Sequence, residues 1–191
     1  MDADPNSSVL VTGARGFIGR AVVKLLQREG YRVVALDNSG AAGSEDDRKS
    51  AGDVMCDISD AGELRRAFES EAIRGIIHLA AILPTAAQRE PLHATRVNVD
   101  GSVQLLELSR QFGVRRFVFG SSLSVYGTHA ADHVVSESDR AAPEDLYGSA
   151  KVYIEQLGQA YGARHGRGIC QPADRTRGRP PLKVDNIGVE E

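Results

Sequence analysis

The sequence has no tryptophan, only 5% aromatic residues and only two cysteines in 191 positions. Cys56 and Cys170 show no CxxC spacing, which excludes a disulfide framework and a cysteine-based zinc site and fits a reducing compartment. Charge of one sign is also lacking: 23 basic residues face 26 acidic ones, a net of -3. Nothing in that balance draws the chain to nucleic acid or to an anionic membrane, and a small-molecule ligand is expected instead. The arginines after Gly162 do not change this, because they come without a folded platform or interleaved aromatics. No apolar run is long enough to span a bilayer, and residues 1–8 carry neither the basic start nor the apolar stretch of a signal peptide. The expectation is a cytoplasmic protein with one sizeable core.

What is present is an alternation of short apolar runs with helical patterns. Val9 to Thr12 is β-branched and ends in a glycine-rich turn, after which Ile18, Val22, Leu25 and Leu26 recur at helical spacing through Arg28. Further strands are expected over 32–36, 53–56, 75–79 and 116–119, and helices over 60–69, 92–111 and 146–163. Residues 38–51 read as a surface loop, and no internal repeat is present. Apolar strands with helical crossovers predict an α/β fold: a doubly wound parallel sheet of five strands, covered on both faces, with ligand at the carboxyl ends of the strands.

The strongest motif is Thr12-Gly13-Ala14-Arg15-Gly16-Phe17-Ile18-Gly19, set directly between the first strand and the first helix. Gly13 permits the tight turn, Gly16 lets backbone approach a pyrophosphate, and Gly19 lets the helix pack on the strand. Phe17 and Ile18 open that helix, whose free N–H groups and dipole favour an anion. An ordinary tight turn is the alternative reading. Asp37, at the end of the second strand and 18 positions after Gly19, can accept hydrogen bonds from an adenosine ribose. Its charge would repel a 2′-phosphate, which favours NAD over NADP; Arg15 and Arg32 keep NADP open, and a turn-forming role for Asp37 remains the alternative.

Tyr147 and Lys151 lie four residues apart on one face of the last expected helix. An adjacent ammonium and the positive nicotinamide ring both favour the phenolate and together can bring a tyrosine towards use as a base. Ser121-Ser122 follows the fifth strand at the ligand-facing edge, with Ser122 25 positions before Tyr147, and Ser124 offers a competing hydroxyl.

With these motifs in this order, residues 9–161 resemble the NAD-dependent epimerase/dehydratase family, the extended branch of the short-chain dehydrogenases. Further matching stretches are Cys56-Asp57-Ile58, His78-Leu79-Ala80-Ala81, Asn98-Val99-Asp100-Gly101 and Ser121-Ser122-Leu123-Ser124-Val125-Tyr126-Gly127. The resemblance implies a Rossmann-type domain over residues 1–163 and hydride chemistry on a sugar hydroxyl, usually of a nucleotide-linked sugar. It implies that Asp57 and Ile58 contact adenine, that Leu79, Ala80 and Ala81 line the dinucleotide cleft, and that Asn98 steadies the site, although Asn98 can equally tie backbone. It makes Ser122 the catalytic hydroxyl, Tyr147 the base and Lys151 its partner on the nicotinamide ribose. It also suggests a homodimer through the helices that hold Val103 and Tyr153, residues that can equally be core. A non-catalytic NAD-binding module is the alternative from a different class.

The chain departs from this pattern after Gly162. Family members continue with a sixth strand and a substrate-gripping region, whereas residues 164–191 form an atypical tail, expected to be disordered, with neither strand nor helical period. A permissible choice of codons for residues 169–180, read one base later, spells Ser-Ala-Ser-Leu-Arg-Ile-Gly-Arg-Val-Val-Gly-Pro, like the missing strand. The expectation is a slipped reading frame and a truncated, inactive form; a natural basic tail is the alternative.

Overall fold

A computed structural model describes residues 8–39, 52–129 and 133–165. The expected tail, Cys170 and most of the expected surface loop lie outside the described residues. Strands β1 (Ser8–Thr12), β2 (Arg32–Asp37), β3 (Asp53–Met55), β4 (Ile73–His78) and β5 (Arg116–Phe119) form one sheet in the order β3-β2-β1-β4-β5. Every pair is parallel, with Thr12 opposite Leu36 on one side and His78 on the other. Chain direction across the sheet reverses between β1 and β4, and at that switch point the carboxyl ends of the strands open a crevice.

Alternate side chains feed two cores. Val11, Val33 and Ala35 point to one face, where helix α1 (Phe17–Arg28) covers them with Val22, Val23 and Leu26. Leu10, Val34, Leu36, Ile76 and Phe117 point to the other, beneath α2 (Ala61–Ser70) and α5 (Ser102–Gln111). Local chemistry sets the helix ends. Asp60 caps α2 by accepting from the N–H groups of Gly62 and Glu63 at 2.9 and 2.8 Å. α1 stops at Gly30 (φ +81), where Gly30 N–H donates to Gln27 and Tyr31 N–H to Leu26, a pairing that satisfies its last carbonyls.

The helix expected over 92–111 is more complex. Pro84 and Pro91 each open a short helix, α3 (Pro84–Arg89) and α4 (Pro91–Thr95), of which the sequence reading missed the first. A π-helical turn over Arg96–Gly101 then joins α4 to α5. The wider turn puts Val97, Asn98, Gly101 and Ser102 all on the buried side, where Ile58 packs so closely that a Cβ on Gly101 would meet its Cγ1 at 2.8 Å. The last helix, α6 (Leu146–His165), buries Ile154 and lays Leu157 and Tyr161 against the larger core.

A chain of hydrogen bonds pins the sheet at its switch point. Thr12 Oγ1 accepts from the N–H groups of Leu79 and Ala80 at 3.2 and 3.3 Å, so its own proton goes to His78 Nδ1 at 2.6 Å. His78 Nε2 is then the N–H, donating to Ser102 Oγ at 2.8 Å, and Ser102 donates to the Asn98 carbonyl at 2.7 Å. Thr12, His78 and Ser102 are all buried, and each proton has one acceptor. Burial, with a smaller contribution from the Lys151 charge, pushes the His78 imidazole down to about 3.

The folded pKa of His78 lies below the unfolded value, so its stabilisation is full above about pH 6.5 and falls as pH drops towards 3. The ceiling is about 5 kcal/mol. We predict that between pH 7 and pH 4 the wild type loses about 2–3 kcal/mol more than His78→Gln, measured by urea unfolding at both values; equal losses would contradict a buried neutral imidazole.

Candidate functional site

The turn after β1 meets the end of β4. Gly13 has φ +66, and a Cβ there would meet Ala80 N at 2.7 Å and Leu79 C at 2.9 Å, so both the backbone conformation and the neighbour demand glycine. Gly19 packs on the turn itself, where a Cβ would lie 2.8 Å from Ala14. Gly16 caps α1 in extended conformation with no side-chain cap, and a Cβ on it would touch only the Gly13 carbonyl. The first-turn N–H groups of α1 are thus left without a side-chain acceptor, beneath the exposed Phe17 and the half-exposed Ile18.

Asp37, at the carboxyl end of β2, is held from both sides. Oδ2 accepts from Arg15 N–H at 3.0 Å, and Oδ1 accepts from Ser39 N–H at 3.0 Å and from the Ser39 hydroxyl at 2.5 Å. Burial works against its charge, but the Ser39 and Arg15 hydrogen bonds and the Arg15 guanidinium outweigh it, leaving the carboxyl below its ordinary value. Asp37 is therefore an ionised, oriented acceptor beside the glycine turn. Arg32 is not near it. Arg32 opens β2 at the opposite end, about 16 Å away along extended strand, and pairs with Glu71 at 3.0 Å.

Asp57 Oδ1 accepts from Ser59 N–H and hydroxyl, which turns the chain after β3. The Ile58 side chain is buried in the larger core, which leaves its backbone, not its side chain, at the surface of this turn. Leu79, Ala80 and Ala81 leave β4 beside Gly13, and Asn98 anchors the next residue: its Oδ1 accepts from Ile82 N–H at 2.7 Å and its Nδ2 donates to the Ile82 carbonyl at 2.9 Å. Asn98 thus ties backbone, and the backbone it ties is the wall of the crevice. Cys56 stands apart from this chemistry; burial and then the nearby carboxylates push its thiol up to about 12.

On the other side of the crevice, Ser122, Tyr147 and Lys151 converge. Gly120 N–H donates to the His78 carbonyl, extending the junction of β4 and β5, and Ser122 then caps a 3₁₀ turn over Leu123–Val125. The Ser122 hydroxyl accepts from Ser124 N–H and lies 3.2 Å from the Ser124 hydroxyl. The Tyr147 phenol stands near enough to Ser122 for that hydroxyl to favour its phenolate. Gly148 makes this approach feasible, since a Cβ there would lie 2.9 Å from the Ser124 carbonyl carbon. Lys151, one turn on, is 4% exposed; its Nζ donates to the Gly120 carbonyl at 2.6 Å and stands 4.5 Å over Phe119 and 5.4 Å from the Tyr147 ring. Burial pulls the ammonium down to about 8, opposed by Glu155.

Tyr147 is shifted above its ordinary value, by burial first and then Asp145, with the Ser122 hydroxyl opposing. The Lys151 ammonium beside it is turned to the Gly120 carbonyl. Three contributors went unrecognised in the sequence: the Thr12–His78–Ser102 chain, Gly148, and the Asp53 carboxylate beside Arg15. Only His78 and Gly148 carried a signal, as a polar residue ending an apolar strand and a glycine opening a helix.

A parallel sheet of this order with a glycine turn at its switch point defines the Rossmann class of dinucleotide-binding proteins. The sequence pattern of the NAD dependent epimerase/dehydratase family matches residues 9–171, and the chain belongs to that family. It is 35% identical over 162 residues to a UDP-glucose 4-epimerase of Erwinia amylovora, covering 81% of this chain and 48% of that protein. A UDP-glucose 4-epimerase of Thermus thermophilus in complex with NAD superposes with TM-score 0.77 at 31% identity, over 83% of this chain and 51% of the other. An L-threonine dehydrogenase of Clostridium difficile superposes with TM-score 0.75 at 26% identity, over 84% and 50%. The chain spans about half the length of these relatives. NAD is the family's cofactor, and the uncapped α1 terminus, the open side of Gly16 and the oriented Asp37 carboxylate fit it. Among the described residues, no helix is long and apolar enough to cross a membrane.

Two glycines separate strain from contact. Gly30 (φ +81) has nothing within 4 Å of where a Cβ would stand, so Gly30→Ala should cost only the left-handed strain of about 1–2 kcal/mol. Gly13→Ala should cost clearly more and abolish NAD binding, read by thermal unfolding and calorimetry; equal costs would remove the close approach to Ala80 as the reason for the glycine.

Proposed function

We propose that this chain is the dinucleotide-binding and proton-transfer part of an oxidoreductase or epimerase acting on a secondary hydroxyl of a nucleotide-linked sugar. The observation that carries the reading is the meeting of Ser122, Tyr147 and Lys151 on the same crevice as the glycine turn. Its UDP-glucose 4-epimerase relatives support the substrate class, and its threonine dehydrogenase neighbour supports the broader chemistry.

Bound NAD would supply a hydride acceptor and a positive ring beside the phenol. Gly13, Gly16 and Gly19 shape the turn that admits the pyrophosphate, and the N–H groups at Phe17 and Ile18 face it. Asp37 accepts from the adenosine ribose, Asp57 with the Ile58 backbone borders the adenine, and Leu79, Ala80 and Ala81 form the wall that Asn98 holds. Tyr147 takes the substrate hydroxyl proton at its phenolic oxygen, and Ser122 holds the same substrate oxygen. The Ser124 N–H donates to Ser122 Oγ and helps to orient it, and the Ser124 hydroxyl ranks second as the substrate-binding hydroxyl. Lys151, buried and cationic below about pH 8, stabilises the phenolate and reaches the nicotinamide ribose. Residues 1–163 form this unit in the proposal, and a homodimer through α5 and α6 would use Val103 and the half-exposed Tyr153.

Tyr147→Phe separates binding from chemistry. NAD affinity by calorimetry should stay within about twofold, while turnover over a panel of UDP-sugars should fall by about 10²–10⁴-fold, the usual contribution of a general base. A variant as active as the wild type would reject Tyr147 as base. NAD binding by the wild type without turnover of any sugar would assign the chain to dinucleotide binding alone.

A further inference from the structure

Dinucleotides with and without a 2′-phosphate differ by about two negative charges at the adenosine ribose. That ribose lies beside Asp37 in the reading proposed above, on which this inference rests. Arg15 is the cation of the glycine turn, and its side chain is committed. Nη1 donates to the Ser39 carbonyl at 2.6 Å, and Nη2 pairs with Asp53 Oδ2 at 3.4 Å. Both side chains are about three-quarters covered, at 26% and 24% exposed.

Asp53 opens β3, a three-residue edge strand, and sits opposite Ala35, two residues before Asp37 on the neighbouring strand. A carboxylate there adds nothing to the ladder, and β-propensity disfavours it. What it does is meet the guanidinium. Asp37 and Asp53 against Arg15 leave one net negative charge around the ribose position; without Asp53 the count is zero and Nη2 has lost its ionic partner.

We infer that Asp53 is a specificity-determining residue: by engaging Arg15 against the Ser39 carbonyl it withholds that cation from a 2′-phosphate and reinforces Asp37 in selecting NAD. It acts through Arg15, as a positioning residue, and a merely structural role would change the affinities for both dinucleotides alike.

The test titrates the full chain with NAD and with NADP in three forms: wild type, Asp53→Asn, and Asp53→Asn combined with Arg15→Gln. Arg15→Gln keeps the backbone N–H that Asp37 accepts. NADP should bind Asp53→Asn about fivefold more tightly, the scale of one partly exposed ion pair, with NAD within about twofold. The gain should shrink at high salt and vanish in the double variant. An unchanged NADP-to-NAD ratio with NAD binding intact overturns the inference and leaves the dinucleotide site standing. A gain that survives in the double variant also overturns it, since net charge and not Arg15 would then be responsible. A wild type that binds neither dinucleotide overturns the underlying reading as well. Should the asparagine disturb the strand edge and abolish NAD binding, Asp53→Ser gives the same readout.

Discussion

Thr12 Oγ1 takes two amide hydrogens from the residues just past β4 and gives its own hydrogen to His78, and the whole crevice is built outward from that junction. Thr12, His78 and Ser102 are buried at 1% exposure or less, so a misplaced partner would leave a donor or acceptor unpaired away from solvent, at about 1–3 kcal/mol each. The chain of bonds therefore holds β1, β4 and the start of α5 in one arrangement. It also explains why Gly13 can have no side chain: the contact that brings Leu79 and Ala80 to Thr12 brings their backbone within 2.7–2.9 Å of where a Cβ would stand.

The same junction reaches the second half of the site. His78 gives its carbonyl to Gly120, Gly120 gives its own to Lys151, and Asn98, whose carbonyl ends the buried relay, grips Ile82 with its amide. The glycine turn and the Ser122–Tyr147–Lys151 group are thus coupled through backbone atoms of β4 and β5 rather than through loose side chains. That rigidity has an electrostatic counterpart. Burial lowers Lys151 and raises Tyr147, so both groups are moved towards their neutral forms, and a charge brought into the crevice acts with little solvent to screen it.

Much of this was readable from residues in order. The strands are runs such as Arg32–Asp37 with apolar side chains for both faces, and the glycine turn carries its own backbone demands. Boundaries moved by one or two residues, as at Ile73–His78 against the expected 75–79. α3 escaped because Pro84 looks like a helix breaker unless its N1 position is known, and the π turn escaped because periodicity cannot register one extra residue in a turn. The direction of the Lys151 ammonium escaped for a different reason: a four-residue spacing puts it near the phenol but does not say that it turns to Gly120.

The amino-acid order alone determined what depends on neighbours in the chain: where the five strands and the longer helices run, where the glycine turn lies, and which residue types it offers. Tertiary structure decided everything that depends on distance between segments: the union of Thr12, His78 and Ser102, the grip of Asn98 on Ile82, and the capture of Arg15 by Asp53. Periodicity and turn chemistry are written in adjacent residues, whereas a hydrogen bond between positions 66 apart, such as that of Thr12 and His78, exists only once the sheet has set the two strands side by side.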